Sequence, residues 1–158
     1  MNTMKRKILL YVLLFVSITL RGNVYFKHLG KTDGLSQISV ISICQDELGR
    51  MWFGTLEGLS CYDGNSMTVY KPSQDSVRSF LGNNVDNLVS DKQGNLFFIS
   101  DYALVRYDLR KEQFSLLKQR ANCLHVHNQE VWAATRDSVF KWDRQKEEFA
   151  FILSLIHI

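Results

Sequence analysis

Residues 40–53 have the sequence VISICQDELGRMWF, and residues 85–98 repeat its pattern without a gap as VDNLVSDKQGNLFF. The two stretches begin at positions 40 and 85, which is an offset of 45 residues. The same offset places Tyr62-Asp63 on Tyr107-Asp108, so it holds over more than twenty residues. Self-similarity with a period of about 20–50 residues indicates a repeat architecture.

A third and shorter copy follows the second. Val131-Trp132-Ala133 takes the place of Leu96-Phe97-Phe98, and Trp142-Asp143 takes the place of Tyr107-Asp108. The offset between these positions is 35, because Asn128-Gln129 replaces the longer turn of the earlier copies. The chain therefore contains about three related units.

Each unit is predicted to form four short strands separated by turns. In the first unit, residues 46–49 and Asp63-Gly64 supply the turn residues. The predicted strands are 40–44, 51–54, 59–62 and 67–70, then 85–89, 96–99, 104–107 and 113–117. Radially repeated four-stranded antiparallel sheets are typical of propeller blades. We therefore predict an all-β fold: an incomplete β-propeller of about three four-stranded antiparallel blades, preceded by a signal peptide.

A β-sandwich is the main alternative fold. A sandwich with one wet face should show alternation of apolar and polar residues, whereas strands 40–44 and 96–99 are apolar on both faces. Stacked blades bury both faces of a strand. Trp52-Phe53, Phe97-Phe98 and Trp132 are then predicted to fill the space between neighbouring blades, and an aromatic ligand platform is the alternative role.

The N-terminus has the pattern of a secretory signal peptide. Three basic residues at 5–7 precede a 13-residue run at 8–20 that is apolar apart from Ser17 and Thr19. This run is shorter than the ~20 residues of a membrane span. Export is therefore predicted, with a signal peptide at 1–22 and an uncleaved anchor as the alternative.

The charge distribution argues against nucleic acid as a partner. Four of the 19 basic residues lie in the first 22 positions, which leaves 15 basic and 16 acidic residues in the rest of the chain. Duplex binding usually needs a clustered positive patch. No such cluster is present in the sequence beyond the predicted signal peptide.

Several segments resemble a known family: residues 25–29, 33–37 and 46–59, together with Tyr62-Asp63-Gly64. They are similar to the periplasmic sensor region of hybrid two-component regulators of the Bacteroides group, which is built from two-component regulator propeller repeats. The second repeat departs from the family at Ile99-Ser100, where the family tends to have Gly-Thr.

The resemblance implies functions that lie partly outside this chain. Members sense oligosaccharides released from glycans, through a periplasmic region anchored in the inner membrane. Their histidine kinase activity lies in other domains, and their partners include the remaining propeller blades and a second receptor copy. The chain is accordingly expected to be an N-terminal fragment. Its expected divisions are a signal peptide at 1–22, a ring-closing strand at 23–37, blades at 38–71, 85–121 and 122–152, a loop at 72–84 and a truncation tail at 153–158.

Catalytic and metal-binding residues are not predicted, and no cofactor is expected. His125 and His127 would share one face of a strand, yet no third ligand recurs at metal-binding spacing. Asp46 and Asp91 are predicted to form turns rather than to bind calcium. The three cysteines are predicted to be unpaired, since Cys44 and Cys61 would lie on the first and third strands of one blade, beyond disulfide reach.

Ligand binding is predicted for loops at one face of the propeller, because a rigid scaffold presents variable loops. The candidate ligand-binding residues are Glu57, Asp101, Tyr102, Arg136 and Asp137. A tyrosine can stack on a sugar ring, and an arginine can pair with an acidic sugar. Ordinary solvated turn residues are the simpler interpretation. Two other functions stay open: a secreted scaffold for protein interaction, and a propeller lyase or glycosidase.

Overall fold

The computed structural model describes residues 25–74 and 79–154, together with residues 4, 5, 7, 8 and 10–12, which are helical. The predicted signal peptide therefore lies mostly outside the described residues. In the part of the chain that the structure describes, no helix is long and apolar enough to cross a membrane.

Twelve strands form three four-stranded antiparallel sheets, which we call blades 1, 2 and 3. Blade 1 contains β1 (Val40–Gln45), β2 (Met51–Thr55), β3 (Gly58–Tyr62) and β4 (Met67–Tyr70). Blade 2 contains β5 (Asp86–Ser90), β6 (Asn95–Ser100), β7 (Ala103–Asp108) and β8 (Gln113–Arg120). Blade 3 contains β9 (Cys123–His127), β10 (Glu130–Ala134), β11 (Ser138–Asp143) and β12 (Glu148–Ser154). The predicted all-β architecture with three four-stranded antiparallel blades is confirmed.

The strands within each blade follow one another in chain order. The strand limits agree with the sequence prediction to within one residue in blade 1. Two outer strands are longer than predicted: β8 continues to Arg120, and β12 continues to Ser154, which pairs with Ser138 of β11. Two residues of the predicted tail at 153–158 thus belong to a blade.

The core lies between the blades, as the aromatic repeats predict. All six residues of β6 are buried, and their side chains alternate between two clusters. Leu96 and Phe98 pack with residues of blade 1, whereas Phe97 and Ile99 pack with residues of blade 3. Blade 2 is therefore covered on both faces, which a sandwich with one wet face would not show.

An aromatic side chain is fully buried where it faces a neighbouring blade among the described residues. Trp52 occupies the position of Phe97 one repeat earlier, faces blade 2 and is 0% exposed. Phe53 and Trp132 are only half-buried. Trp132 lies on the face of blade 3 that points away from blade 2, where Lys141 sits over its ring at 5.4 Å.

The hairpin between the third and fourth strands has the same turn in every blade. Asp63 Oδ1 accepts hydrogen bonds from the backbone N–H groups of Asn65 and Ser66. Asp108 and Asp143 make the equivalent pairs of bonds in blades 2 and 3. An aspartate that satisfies the backbone of its own turn explains why this residue recurs after each aromatic.

Residues 25–37 contain no strand; their one regular element is a 3-10 turn at Lys31–Asp33. The segment nevertheless docks on blade 1. Leu35 is buried, Ser36 N donates to Ser60 Oγ at 3.1 Å, and the Ser36 and Thr55 hydroxyls lie 3.0 Å apart. These contacts explain why the Gly34-Leu35-Ser36 motif accompanies the first repeat. The predicted ring closure by residues 23–37 stays a prediction.

All three cysteines are free, as expected. Trp52 of β2 pairs with Cys44 of β1 on one side and with Cys61 of β3 on the other. A whole strand therefore separates the two thiols, which is the arrangement that the repeat predicts.

Cys123 is expected to be the reactive thiol of the native chain. Burial raises the pKa of Cys44 to about 12 and that of Cys61 to about 11, which suppresses their thiolates, whereas Cys123 is exposed. Titration with Ellman's reagent should show one fast thiol in the native chain and three in urea without reductant. In Cys123→Ser the fast phase should disappear. A single free thiol in urea would contradict the strand order or reveal a disulfide that includes Cys123.

Candidate functional site

Three equivalent turns and the segments that lead into β5 and β9 form one edge of the stack, which we call the loop edge. The turns connect β2 to β3, β6 to β7, and β10 to β11. In the first and third turns a threonine holds the loop: Glu57 N donates to Thr55 Oγ1 at 3.0 Å, and Ser138 N donates to Thr135 Oγ1 at 3.0 Å. The loop edge carries all five predicted ligand-binding residues, Glu57, Asp101, Tyr102, Arg136 and Asp137.

A cavity of about 360 Å³ opens at the loop edge between blades 2 and 3, and we call it the junction cavity. Its lining combines carboxylates, primary amides, one tyrosine and two apolar side chains. The lining residues are Asn84, Asp86, Asn87, Ile99, Asp101, Tyr102, Ala121 and Asn122. The structure thus brings Asp101 and Tyr102 together at one cavity. Glu57, Arg136 and Asp137 do not line it.

The Asp101-Tyr102 turn has an unusual backbone. Both residues have positive φ angles, 45° for Asp101 and 69° for Tyr102, in a two-residue hairpin where asparagine and glycine are preferred. A left-handed conformation costs a residue with a Cβ about 1–2 kcal/mol. Tyr102 is also 76% exposed, so burial of its ring does not offset this strain. Tyr102 thus presents an exposed ring on a strained backbone at the rim of the cavity.

The segment before β5 fixes the carboxylate of this turn. Asn83 N donates to Asp101 Oδ2 at 3.2 Å, and Ser100 Oγ donates to Leu81 O at 2.8 Å. Gly82 makes this approach feasible, since its φ is +92° and a Cβ there would lie 2.7 Å from Asp101 Oδ2. The carboxylate is therefore held at the cavity by the backbone opposite it.

An amide side chain joins blades 2 and 3 at the cavity, where Asn87 Oδ1 accepts from Leu124 N at 3.4 Å. Asn122 is held within blade 3 by its backbone, since Asn122 N donates to Ala134 O at 2.8 Å. Asn84 Oδ1 is buried in the wall and has no hydrogen-bond partner among the described residues. A buried acceptor without a hydrogen bond keeps the full desolvation penalty, and a ligand that donates a hydrogen bond to it would remove this penalty.

The sequence analysis missed Asn84, Asn87 and Asn122, although it noted the departure at Ile99-Ser100. At the junction of blades 1 and 2, Gly54 occupies the position of Ile99, and the blades touch through their backbones: Val85 N donates to Thr55 O at 2.9 Å. At the next junction the Ile99 side chain stands in that place and lines the cavity. The presence of Ile99-Ser100 in place of Gly-Thr is the sequence signal that could have predicted the position of the cavity.

Asp46 and Asp91 lie at the opposite edge and are both buried. Each accepts from the backbone of its own turn, Asp46 from Leu48 N at 2.9 Å and Asp91 from Gln93 N at 2.8 Å. Their predicted turn-forming role is thus seen in the hydrogen bonds. Among the residues that the structure describes, no three histidine, cysteine or acidic side chains come together to hold a metal.

His125 and His127 lie on the exposed side of β9, opposite Trp132 and Glu130 of β10. The sequence analysis correctly placed them on one face of a strand. Asn128 Nδ2 lies 3.2 Å from His127 Nε2. The neighbours of this pair are therefore a tryptophan, a glutamate and an amide.

The chain is similar to proteins of two-component signalling. Residues 34–57 match the two component regulator propeller family. Histidine kinase P4 of Formosa agariphila is 40% identical over 68 residues, which are 41% of this chain and 5% of that protein.

Solved structures from B. thetaiotaomicron share the fold. The extracellular domain assigned to a hybrid two component system superposes with a TM-score of 0.66 and 26% identity, over 78% of this chain and 19% of that chain. The extracellular domain assigned to a one component system has a TM-score of 0.57 at 16% identity, over 78% of this chain and 18% of that chain, which is a likeness of fold. This chain spans no more than about a fifth of the length of these proteins.

The matching residues include the Gly34-Leu35-Ser36 motif that docks on blade 1 and the Asp46 turn with the strand that follows it. The superposition on the hybrid two component system domain covers 78% of this chain. Residues 34–57 therefore resemble a two component regulator propeller repeat, and the fold of the chain is similar to that of the extracellular domain of a B. thetaiotaomicron hybrid two component system.

Proposed function

We propose that this chain is part of a periplasmic sensor that recognises an oligosaccharide released from a glycan. The junction cavity carries the proposal, because it lies at the loop edge and combines a tyrosine with amide and carboxylate side chains. Small-molecule sites are typically concave, with a few polar groups that orient the ligand. Amides and carboxylates can bond paired sugar hydroxyls, and the apolar face of a sugar can stack on an aromatic ring.

The proposed sensor would act from outside the cytoplasmic membrane. The solved relatives are extracellular domains of signalling proteins, and the N-terminal residues have the pattern of an export signal. In the whole receptor, further propeller blades and a second receptor copy are proposed partners, and a kinase elsewhere in the receptor would transmit the signal. Catalysis is not assigned to this region in the proposal, which is supported by the match to a regulator propeller and by the fold shared with an extracellular domain of a hybrid two component system.

Calorimetric titration of the chain with a panel of neutral and acidic oligosaccharides tests this function. We expect at least one to bind with a dissociation constant of about 1 mM or tighter, and glycerol, a polyol without a ring, to give no binding heat. Chromatography of the mixtures should recover the oligosaccharide intact. Absence of any binding would favour the protein-interaction scaffold, and shortened products would favour the lyase or glycosidase.

A further inference from the structure

We propose that the junction cavity selects a neutral sugar residue over an acidic one. This inference rests on the proposed function and names the ligand class of the same site. It departs from the sequence-based expectation that Arg136 would pair with an acidic sugar. The lining residues include two carboxylates, Asp86 and Asp101, and none of them is lysine, arginine or histidine.

Electrostatics disfavour an anion in this cavity. A uronate or sulfate group within a few ångströms of Asp86 and Asp101 would meet like charges, and like charges at close range repel by about 1 kcal/mol even at the dielectric constant of water. The three asparagine side chains are uncharged, so they cannot compensate as an arginine fork would. A neutral sugar instead offers hydroxyl donors to the carboxylates and both donors and acceptors to the amides.

Arg136 is poorly placed to change this balance. It lies in the β10–β11 turn, which is equivalent to the Asp101-Tyr102 turn but belongs to the next blade. The β6–β7 turn reaches the junction cavity because Ala121 and Asn122, which lead into β9, stand beside it. In the part of the chain that the structure describes, no further blade stands beside the β10–β11 turn.

Tyr102 supplies the stacking surface of the site. Its ring is exposed at the rim, and its backbone is fixed by the two-residue turn that bonds to the opposite segment through Asp101. Tyrosine gives a large contact area at a low entropic cost, since it has few rotatable bonds. The cavity volume of about 360 Å³ is near the lower limit of small-molecule sites, which span about 300–1,000 Å³. One end of an oligosaccharide therefore fits better than a long internal segment.

Ile99 makes this cavity specific to the second junction. Gly54 at the first junction leaves no side chain, and Val85 fills the space with its backbone. Ile99 and Ala121 occupy the corresponding positions between blades 2 and 3, where Asn87 bridges to Leu124 through its side chain. The close approach of Val85 to Gly54 thus closes the first junction at this level, whereas the second junction has a cavity there.

The test compares xylotriose, mannotriose and cellotriose with trigalacturonate, by calorimetry and by saturation-transfer NMR on the folded chain. We expect a neutral trisaccharide to bind at least about tenfold more tightly than trigalacturonate, and Tyr102→Ala to weaken that binding by about tenfold or more. Asp86→Asn combined with Asp101→Asn should narrow the preference for the neutral sugar. Gln129→Ala is the matched control, since Gln129 is also exposed with a positive φ of 64° in a two-residue turn, but lies outside the cavity.

The outcomes separate this inference from the proposed function. Tighter binding of trigalacturonate, or unchanged binding of a neutral sugar by Tyr102→Ala, would overturn the inference and leave the sensor function standing. If Arg136→Ala loses binding and Tyr102→Ala binds normally, the site lies at the β10–β11 turn. That result would also overturn the inference and leave the sensor function standing. No binding of any oligosaccharide would overturn both. Circular dichroism of each variant verifies that the blades are folded.

Discussion

Replacing Asp46 by alanine is expected to lower the free energy of unfolding by about 3–4 kcal/mol, since removing one partner of a buried charged pair leaves the other uncompensated. The side chain of Asp46 is 0% exposed. It accepts from Trp52 Nε1 at 2.9 Å and from Arg50 Nε at 2.6 Å, in addition to two backbone N–H groups of its turn. Without the carboxylate, a buried indole N–H and a partly buried guanidinium lose their acceptor.

Urea unfolding followed by tryptophan fluorescence measures this loss. Asp63→Ala is the matched control: Asp63 also closes a turn of blade 1 through two backbone N–H bonds, but it is exposed, so its loss should be clearly smaller. Equal losses in the two variants would show that the turn bonds, rather than the buried contacts to Trp52 and Arg50, give Asp46 its effect.

The same carboxylate makes stability depend on pH. Burial alone would raise the pKa of Asp46, but hydrogen bonds from Trp52 and Arg50 outweigh burial and hold this pKa below its ordinary value of 3.8. A pKa that is lower in the folded state stabilises the fold above the ordinary value, and the benefit disappears as the pH falls through the lower folded value. Stability of the natural chain should therefore fall more steeply below about pH 4 than that of Asp46→Ala.

The blade architecture could be predicted because the turn residues and the repeated aromatic positions indicate the same strands. The turn that begins at Asp46 fixes where β1 ends and β2 begins, and Trp52 of β2 and Phe97 of β6 each face the next blade. The outer strands were less predictable. No residue of β8 after Phe114 is buried, and Leu116 is 60% exposed, so neither burial nor a turn residue marks where this strand stops.

The junction cavity could be predicted only in part. Turn position placed Asp101 and Tyr102 at the loop edge, but the walls depend on how two blades meet. Asn84 and Asn122 are separated by 38 positions in sequence and become neighbours only through packing at the junction. The repeat does contain one sign of this cavity. Ile99 stands where the first repeat has Gly54, the residue that lets blades 1 and 2 touch.

Replacing Gly54 by alanine is the second substitution with a large expected effect, a loss of about 3 kcal/mol in the free energy of unfolding, at the upper end of typical overpacking costs. A Cβ at Gly54 would lie 2.3 Å from Val85 O and 2.2 Å from Ser42 Oγ. The serine hydroxyl can rotate away, but Val85 O belongs to a backbone that also donates from Val85 N to Thr55 O at 2.9 Å. The start of β5 must therefore move away from blade 1, and the buried contacts of Val85 loosen with it.

Gly64→Ala separates this clash from the general cost of replacing glycine. Gly64 has a φ of +102° and no atom within 4 Å of an added Cβ, so its substitution brings backbone strain of about 1–2 kcal/mol without a steric contact. Urea unfolding should therefore rank Gly54→Ala as the more destabilised variant. The opposite order would mean that blades 1 and 2 can separate at this point with little loss of packing, in which case a glycine here would not explain why the first junction is closed and the second is open.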